Sequence, residues 1–179
     1  GMNMVALVDG RPRLLNLKQM IEAFLAHRRE VVTRRTVFEL RKARERGHIL
    51  EGLAVALSNV DEIIALIKAA PTPPEAKREL MARTWHSTLV AEMLARTNAL
   101  ASRPEGLAPE FGLSKRGYTL SDVQAQAILE LRLQRLTGLE QDKIVAEYKE
   151  VMEIIADLLD ILARPERITA IISDELNAV

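Results

Sequence analysis

The sequence predicts a mostly α-helical protein: a long antiparallel two-helix coiled coil that carries a small all-helical globular tip, with a short β-hairpin at the N-terminus. Three observations lead to this fold class. Aromatic residues make up only 3% of the 179 residues, whereas β-sandwiches and barrels are enriched in them. Leu, Ala, Glu and Arg are abundant, and these residues favour helices. Two long segments also repeat apolar side chains at heptad spacing, which is typical of coiled coils.

The composition excludes several classes of function. Lys and Arg together number 25, and so do Asp and Glu, so the chain has no overall basic charge for nucleic acid. Cysteine is absent, which excludes disulfides, thiol catalysis and cysteine-ligated zinc. No run of 18 apolar residues and no secretion signal is present, so we expect a cytoplasmic protein.

Residues 2–15 form the only strand-like stretch. Apolar residues lead into Asp9 and Gly10, a dipeptide that favours a tight hairpin turn, and Leu14 and Leu15 follow. Because a lone hairpin is marginal in water, we expect this one to be the edge of an upstream domain.

A first coiled-coil arm is predicted over residues 16–48. Asn16 can cap the helix, and Leu17, Phe24, Val31 and Phe38 recur every seven residues. These four side chains are the predicted seam of the arm.

A second arm is predicted over residues 138–164, followed after Pro165 by a C-terminal helix over 165–179. Its seam positions step alternately by four and three residues. They are Ile144, Tyr148, Val151, Ile155, Leu158 and Leu162.

The two arms carry opposite charge. Between His27 and Arg46 there are eight cationic and three acidic residues, a net charge of +5. Between Glu140 and Asp160 there are two lysines and seven acids, a net charge of −5. Flanking charges select partners in coiled coils, so the arms should pair with each other within one chain. Residues 49–137 would then form the tip.

Capping signals divide the tip into short helices, with an irregular loop over residues 103–117. The Asn59/Glu62, Thr72/Glu75 and Ser121/Gln124 pairs all have capping-box spacing. The last predicted helix, residues 121–136, has an apolar arc of roughly 240°, far wider than the roughly 100° of an ordinary surface helix. It needs two burial partners. Either a second copy covers one face, or the helix is buried on all sides within the tip.

No active site is expected in this chain. Gly47 and Gly52 match the outer glycines of a phosphate-binding loop, but Leu53 stands where that loop requires lysine. The three histidines are too scattered to predict a metal site. Six arginines of the first arm could contact DNA phosphate, although pairing with the acidic arm accounts for them more simply. They are Arg28, Arg29, Arg34, Arg35, Arg41 and Arg44.

Several runs resemble the family of bacterial DNA gyrase A subunits, which belong to the type IIA topoisomerases. The longest is YTLSDVQAQAILELRLQRLTGLE at residues 118–140. Shorter matching runs are MVAL at 4–7, HRREVVTRRT at 27–36, FELRKAR at 38–44, HILEGL at 48–53 and APTP at 70–73. The A subunit of topoisomerase IV is similar to a lesser degree, because its tip is shorter and lacks the Thr-Gly-Leu at 137–139.

The resemblance implies a coiled coil whose tip dimerises as the exit gate, which opens to release the transported DNA duplex during ATP-dependent strand passage and negative supercoiling. The cleaving tyrosine would lie upstream within an Arg-Tyr motif, whereas Tyr118 follows Gly117 and Tyr148 follows Glu147. No catalytic, cofactor or metal site is therefore expected here, and ATP and magnesium would be held by the gyrase B subunit. Expected partners are a second copy, that B subunit in an A2B2 complex, and double-stranded DNA, with no membrane.

The second apolar face of the 121–136 helix suggests which residues would pair in such a gate. The candidates are Tyr118, Leu120, Leu129, Arg132, Leu133 and Leu136. Two alternatives of another class remain: the coiled-coil and hinge dimerisation module of a chromosome-organising protein, and a free-standing DNA-binding helical module. The first predicts far longer arms, and the second predicts steeply salt-dependent DNA binding.

Overall fold

The computed structural model describes the backbone of residues 4–8 and 11–178, and the side chains of Val5 and residues 16–178. The described part is mostly helical, as predicted, with two small antiparallel hairpins. The elements are β1 Met4–Val8, β2 Arg11–Leu15, α1 Leu17–Leu57, α2 Val60–Ala69, α3 Pro73–Ala82, α4 Thr88–Arg96, β3 Gly112–Ser114, β4 Gly117–Thr119, α5 Asp122–Leu131, α6 Gly138–Ala163 and α7 Pro165–Asn177. A 3₁₀ turn, Leu133–Arg135, lies between α5 and α6.

The chain divides into two compact units. The first consists of Gly1–Glu39 with Leu158–Val179, and the second is Leu40–Asp157. Within the part of the chain that the structure describes, every helix is too short or too polar to cross a bilayer.

The N-terminal hairpin of the first unit is confirmed: β1 and β2 pair antiparallel, with Met4 opposite Leu15 and Val8 opposite Arg11. The predicted turn at Asp9 and Gly10 lies outside the described residues. Asn16 caps α1 as predicted. Its Oδ1 accepts the Gln19 N–H at 2.9 Å, and its own N–H donates to Gln19 Oε1 at 3.2 Å, a reciprocal capping box.

The predicted seam of α1 is wrong, because the bulky residues of that stripe lie outward. Leu17, Phe24 and Phe38 are each at least half exposed. The buried face contains other residues of the helix. It includes Val32, Thr36, Leu40, Gly47, Leu50 and Ala54. At Gly47 the missing side chain permits a close approach of α6, which a heptad of large apolar residues would not predict.

Helix α7 supplies the acidic partner for several arginines of the first unit. Glu175 accepts hydrogen bonds from Arg28 and Arg35, each at 2.5 Å, and Arg29 donates to the Pro165 carbonyl at 3.2 Å and to Thr169. The sequence analysis assigned these arginines to the acidic second arm, so their partner was predicted wrongly. The predicted pairing considered acidic residues only up to Asp160, and Glu175 lies beyond them on α7.

In the second unit, three predicted seam residues of α6 are buried, and two of them face Gly47 of α1. Tyr148, Val151 and Ile155 are buried. A Cβ on Gly47 would lie 3.2 Å from Ile155 Cδ1 and 3.4 Å from Val151 Cγ1, so glycine permits this close approach. Arg46 Nη2 contacts Glu147 Oε1 at 2.8 Å, one pairing of opposite charges that the sequence predicted.

The short helices between α1 and α5 follow their capping signals with one exception. Thr72 caps α3, and Ser87 caps α4. Asn59 precedes α2, but its amide donates to the Val55 and His86 carbonyls at 2.8 and 2.9 Å instead of forming the predicted box with Glu62. The prediction of an all-helical tip is wrong, because the segment predicted as an irregular loop contains most of the β3–β4 hairpin, in which Gly112 faces Thr119.

Candidate functional site

Helix α5 is shorter than the sequence indicated. It begins with the predicted capping box: Ser121 Oγ accepts the Gln124 N–H, and Gln124 Oε1 accepts the Ser121 N–H at 2.9 Å. It ends at Leu131, because Arg132 adopts the left-handed conformation with φ 53°. That conformation terminates helices and is uncommon for a residue with a Cβ.

This early end rearranges the apolar face that the sequence placed on one helix. Leu133 lies in the 3₁₀ turn, where its side chain is buried with 4% exposed. Tyr118 and Leu120 are also buried, with 1% and 0% exposed. The second apolar patch predicted for a continuous 121–136 helix is therefore wrong in its geometry, and these three side chains belong to the chain's own core.

The remaining three candidates lie at or near the surface. Leu129 and Leu136 are half-buried, and Arg132 is exposed. Leu139, in the first turn of α6, is 67% exposed and was not among the predicted residues. We name Leu129, Arg132, Leu136 and Leu139 the α5–α6 corner. No specific sequence signal pointed to Leu139, since single exposed apolar residues are common on protein surfaces.

The α5–α6 corner has a defined backbone on both sides. Thr137 and Glu140 form a capping box at the start of α6, with both bonds at 3.2 Å. A groove beside Leu129 is lined by α3 residues Pro73, Pro74 and Lys77. A rigid surface that mixes apolar side chains with a cation is suited to protein–protein contact.

Most of the six candidate DNA-facing arginines contact groups of the chain itself. Arg28, Arg29 and Arg35 bind α7, as described above. Arg44 Nε donates to the Ala101 carbonyl at 2.7 Å, and Arg34 pairs with Glu30 at 2.5 Å on the same helix face. Arg41 is exposed.

A buried carboxylate supports the corner from inside the second unit. Glu51, on α1, accepts a hydrogen bond from the Tyr118 hydroxyl and another from the Tyr148 hydroxyl, the latter at 3.0 Å. Burial raises the pKa of Glu51 despite these two bonds and the nearby charge of Arg103. Burial and the neighbouring carboxylate also raise the pKa of both tyrosines.

Gln124 connects this carboxylate to the start of α5. Its side chain is fully buried, and Nε2 donates to the His48 carbonyl at 2.7 Å and to the Tyr118 hydroxyl at 2.8 Å. Helices α1 and α5 are very close here, since a Cβ on Gly52 would lie 2.7 Å from Gln124 Cβ. Sequence reasoning identified Gln124 only as a capping residue.

His48 completes the network with its imidazole. His48 Nδ1 lies 3.3 Å from Gln124 Nε2, and His48 Nε2 lies 2.7 Å from Ser121 Oγ. Burial, and secondarily the charge of Arg103, lower the pKa of His48 from 6.5 to about 4. The histidine is therefore neutral near pH 7.

We expect His48 to make stability depend on pH. The unfolded chain protonates His48 near pH 6.5, whereas the folded chain does so only near pH 4. Unfolding therefore takes up a proton between these values, and the free energy of unfolding should fall by up to about 3 kcal/mol as the pH drops from 6.5 to 4. The raised pKa of Glu51 acts in the opposite direction.

The measurement is urea denaturation at several pH values for the wild type and a His48→Gln variant. The difference between the two curves isolates His48, because Glu51 is present in both chains. The variant should lose less stability on acidification. Parallel curves for the two proteins would contradict the assignment.

Comparison with known proteins shows the family to which this chain belongs. The sequence profile of the DNA gyrase/topoisomerase IV A subunit matches residues 1–177. The chain belongs to this topoisomerase family.

Similar curated relatives include the DNA gyrase A subunits of several bacteria. The chain is 61% identical to that of Pseudomonas aeruginosa over 179 residues, which covers 100% of this chain and 19% of the relative. It is 59% identical to that of Neisseria gonorrhoeae over 181 residues, covering 100% and 20%. It is 62% identical to that of Escherichia coli over 148 residues, covering 83% and 17%. The chain thus spans about a fifth of the length of these relatives.

Proposed function

We propose that this chain is the exit-gate region of a DNA gyrase A subunit, and that two copies pair through their α5–α6 corners. The observation that carries the proposal is the exposed Leu139 in the first turn of α6, in a chain that belongs to this family. The corner is small, with an apolar part and a cationic rim. Interfaces of moderate size can hold two protomers together and still separate, which a gate requires.

The coiled coil is part of the same proposal. Its arms are residues 16–48 and 138–164, and residues 49–137 form the tip. Contacts within the second unit support antiparallel arms: Gly47 lies against Ile155, and Glu51, further along α1, contacts the earlier Tyr148. Leu17 and Phe24 are each at least half exposed, so the proposed pairing uses the buried residues of α1.

The proposal gives this chain a mechanical task and no chemistry or cofactor of its own. Tyr118 and Tyr148 both donate their hydroxyl protons to buried Glu51, so neither is placed to attack a phosphodiester. Strand cleavage would occur elsewhere in the parent protein, and ATP and magnesium would bind the gyrase B partner. The gate would part to release a transported DNA duplex during supercoiling.

The arginines favour this function over a free-standing DNA-binding module. Five of the six candidates are engaged by groups of the chain itself, as described for the site. A nucleic-acid module of this size would instead present clustered free cations. Tight duplex binding by this chain, falling steeply with salt, would favour the DNA-binding module over the gate.

The decisive test is the mass of the chain in solution. The wild type should dimerise in light scattering over a concentration series. An Arg132→Glu/Leu139→Glu variant should weaken pairing by about 100-fold, because each substitution places two carboxylates near the symmetry axis of the dimer. Both residues are exposed, so the variant should remain folded.

A matched control changes the same residue types elsewhere on the second unit. Leu100, which is 78% exposed, and Arg116 are also surface residues. Leu100→Glu/Arg116→Glu should dimerise like the wild type. A corner variant that pairs as tightly as this control would overturn the proposed interface.

A further inference from the structure

We infer that Glu51 is a positioning residue for the pairing of two copies: its buried carboxylate fixes α5 and α6 against α1 and so holds the α5–α6 corner in its pairing geometry. This inference rests on the proposed exit-gate function. Glu51 has no place in the corner itself and lies on a different element, so it would act through the residues that it binds.

The two partners of Glu51 flank the corner in the chain. Tyr118 is in β4 and precedes the cap of α5 by three residues, and Tyr148 is in α6, nine residues after Leu139. One carboxylate thus binds the segment that leads into the corner and the helix that leaves it. Displacing either tyrosine would move one side of the corner relative to the other.

The start of α5 has further bonds to α1, and they converge on the same hydroxyl. Gln124 donates to the His48 carbonyl and to the Tyr118 hydroxyl, so Tyr118 accepts from α5 while it donates to Glu51. The far end of α5 stops at the left-handed Arg132 and a 3₁₀ turn of three residues. The buried start of α5 is thus fixed to α1 through Gln124, while α5 also packs on α3.

Glutamate suits this position because two donors meet there. A carboxylate accepts from both tyrosines at once, one at each oxygen. Glutamine has the same shape as glutamate. Its amide oxygen can accept a hydrogen bond from the Tyr118 hydroxyl, and its amide nitrogen can donate one to the Tyr148 hydroxyl, which can rotate to accept it. Leucine fills similar space but leaves both hydroxyls without a partner.

The test compares Glu51→Leu, Glu51→Gln and a control that destabilises the first unit, outside the network and the corner. Ile172 is buried on α7, which belongs to the first unit, and Ile172→Ala serves as this control. Dimer dissociation is measured by light scattering below the unfolding transition of each variant. Amide exchange over residues 122–139 reports the order of the corner directly.

We expect Glu51→Leu to weaken pairing by about 10-fold to 100-fold and to speed exchange over 122–139, since two buried hydroxyls lose their acceptor. Glu51→Gln should restore pairing to within about threefold of wild type, as its amide can bond both hydroxyls. Ile172→Ala should unfold more easily yet pair like the wild type, whereas general destabilisation alone would weaken pairing in both variants.

The outcomes separate the two proposals. If Glu51→Leu pairs like the wild type, or if Ile172→Ala loses as much pairing, the inference is overturned and the gate remains. If the wild-type chain is monomeric throughout the concentration series, the proposed function fails and the inference falls with it. The folded state of Glu51→Leu is checked by circular dichroism, and should it not fold, Tyr148→Phe removes one of the two bonds with a smaller change.

Discussion

Replacing Trp85 with alanine should destabilise the chain by about 3–5 kcal/mol, the range observed when large aromatic side chains are removed from cores. The indole is 2% exposed and is among the largest buried side chains of the described residues. Removing it leaves a cavity that the surrounding helices can close only in part. The loss is measured as a shift of the urea midpoint with an unchanged slope.

Trp85 also does more than fill space. Its indole N–H donates to the Leu80 carbonyl at 2.9 Å, in the last turn of α3, where carbonyls lack partners within the helix. Its backbone pairs with Tyr118 through N–O distances of 2.9 and 2.7 Å. Tyr118 in turn binds Glu51, so a disturbed Trp85 should also loosen the buried polar network.

Trp85→Phe separates these contributions. The phenyl ring retains most of the buried contact but cannot donate to Leu80, so its cost should be about 1–2 kcal/mol. An alanine variant within about 1 kcal/mol of wild type would mean that the site collapses without leaving a cavity, contrary to this expectation.

The helix starts could be predicted from the sequence because capping is local. Asn16, Thr72 and Ser121 each meet a partner within three residues, so a short stretch of sequence contains the whole interaction. The capping box predicted for Asn59 does not form, because its amide donates to the carbonyl of His86, which lies 27 residues away in the sequence. Sequence spacing alone cannot reveal such a competitor.

The helix faces were predictable only where large residues made the contact. The seam of α6 with Tyr148 and Ile155 is buried as predicted. The predicted face of α1 is not buried, and at Gly47 the absence of a side chain permits a close approach of α6 that a large side chain would block. A heptad pattern records which residues are apolar, but it does not record how close the partner helix comes.

The candidate site was predicted in part for the same reason. The sequence located the region around Arg132 and Leu136, but it extended α5 through a left-handed residue and so placed Leu133 outside. A left-handed arginine leaves little trace in the sequence, since glycine is the usual signal for it. Glu51 was not predicted at all, because its two partners lie 67 and 97 residues away.

Replacing Gln124 with methionine should destabilise the chain by about 4 kcal/mol, the other large effect that we expect, because each buried group left without a partner costs about 1–3 kcal/mol. Methionine keeps the length and most of the volume of the side chain, so packing changes little. It removes the acceptor for the Ser121 N–H and the donor for the His48 carbonyl and the Tyr118 hydroxyl. The loss is measured by urea denaturation against the wild type.

Gln126→Met is the matched control, because it makes the same change two residues further along α5. Gln126 is exposed and donates only to Glu130, at 2.9 Å, so its replacement should cost less than about 0.5 kcal/mol. The comparison holds residue type, helix and substitution constant and varies only burial and partners. Equal denaturation midpoints for the two variants would show that water enters the network and bonds the groups that Gln124 had bonded. The network would then contribute little to fixing α5. A large difference between them requires that the buried amide itself joins α1 to the start of α5.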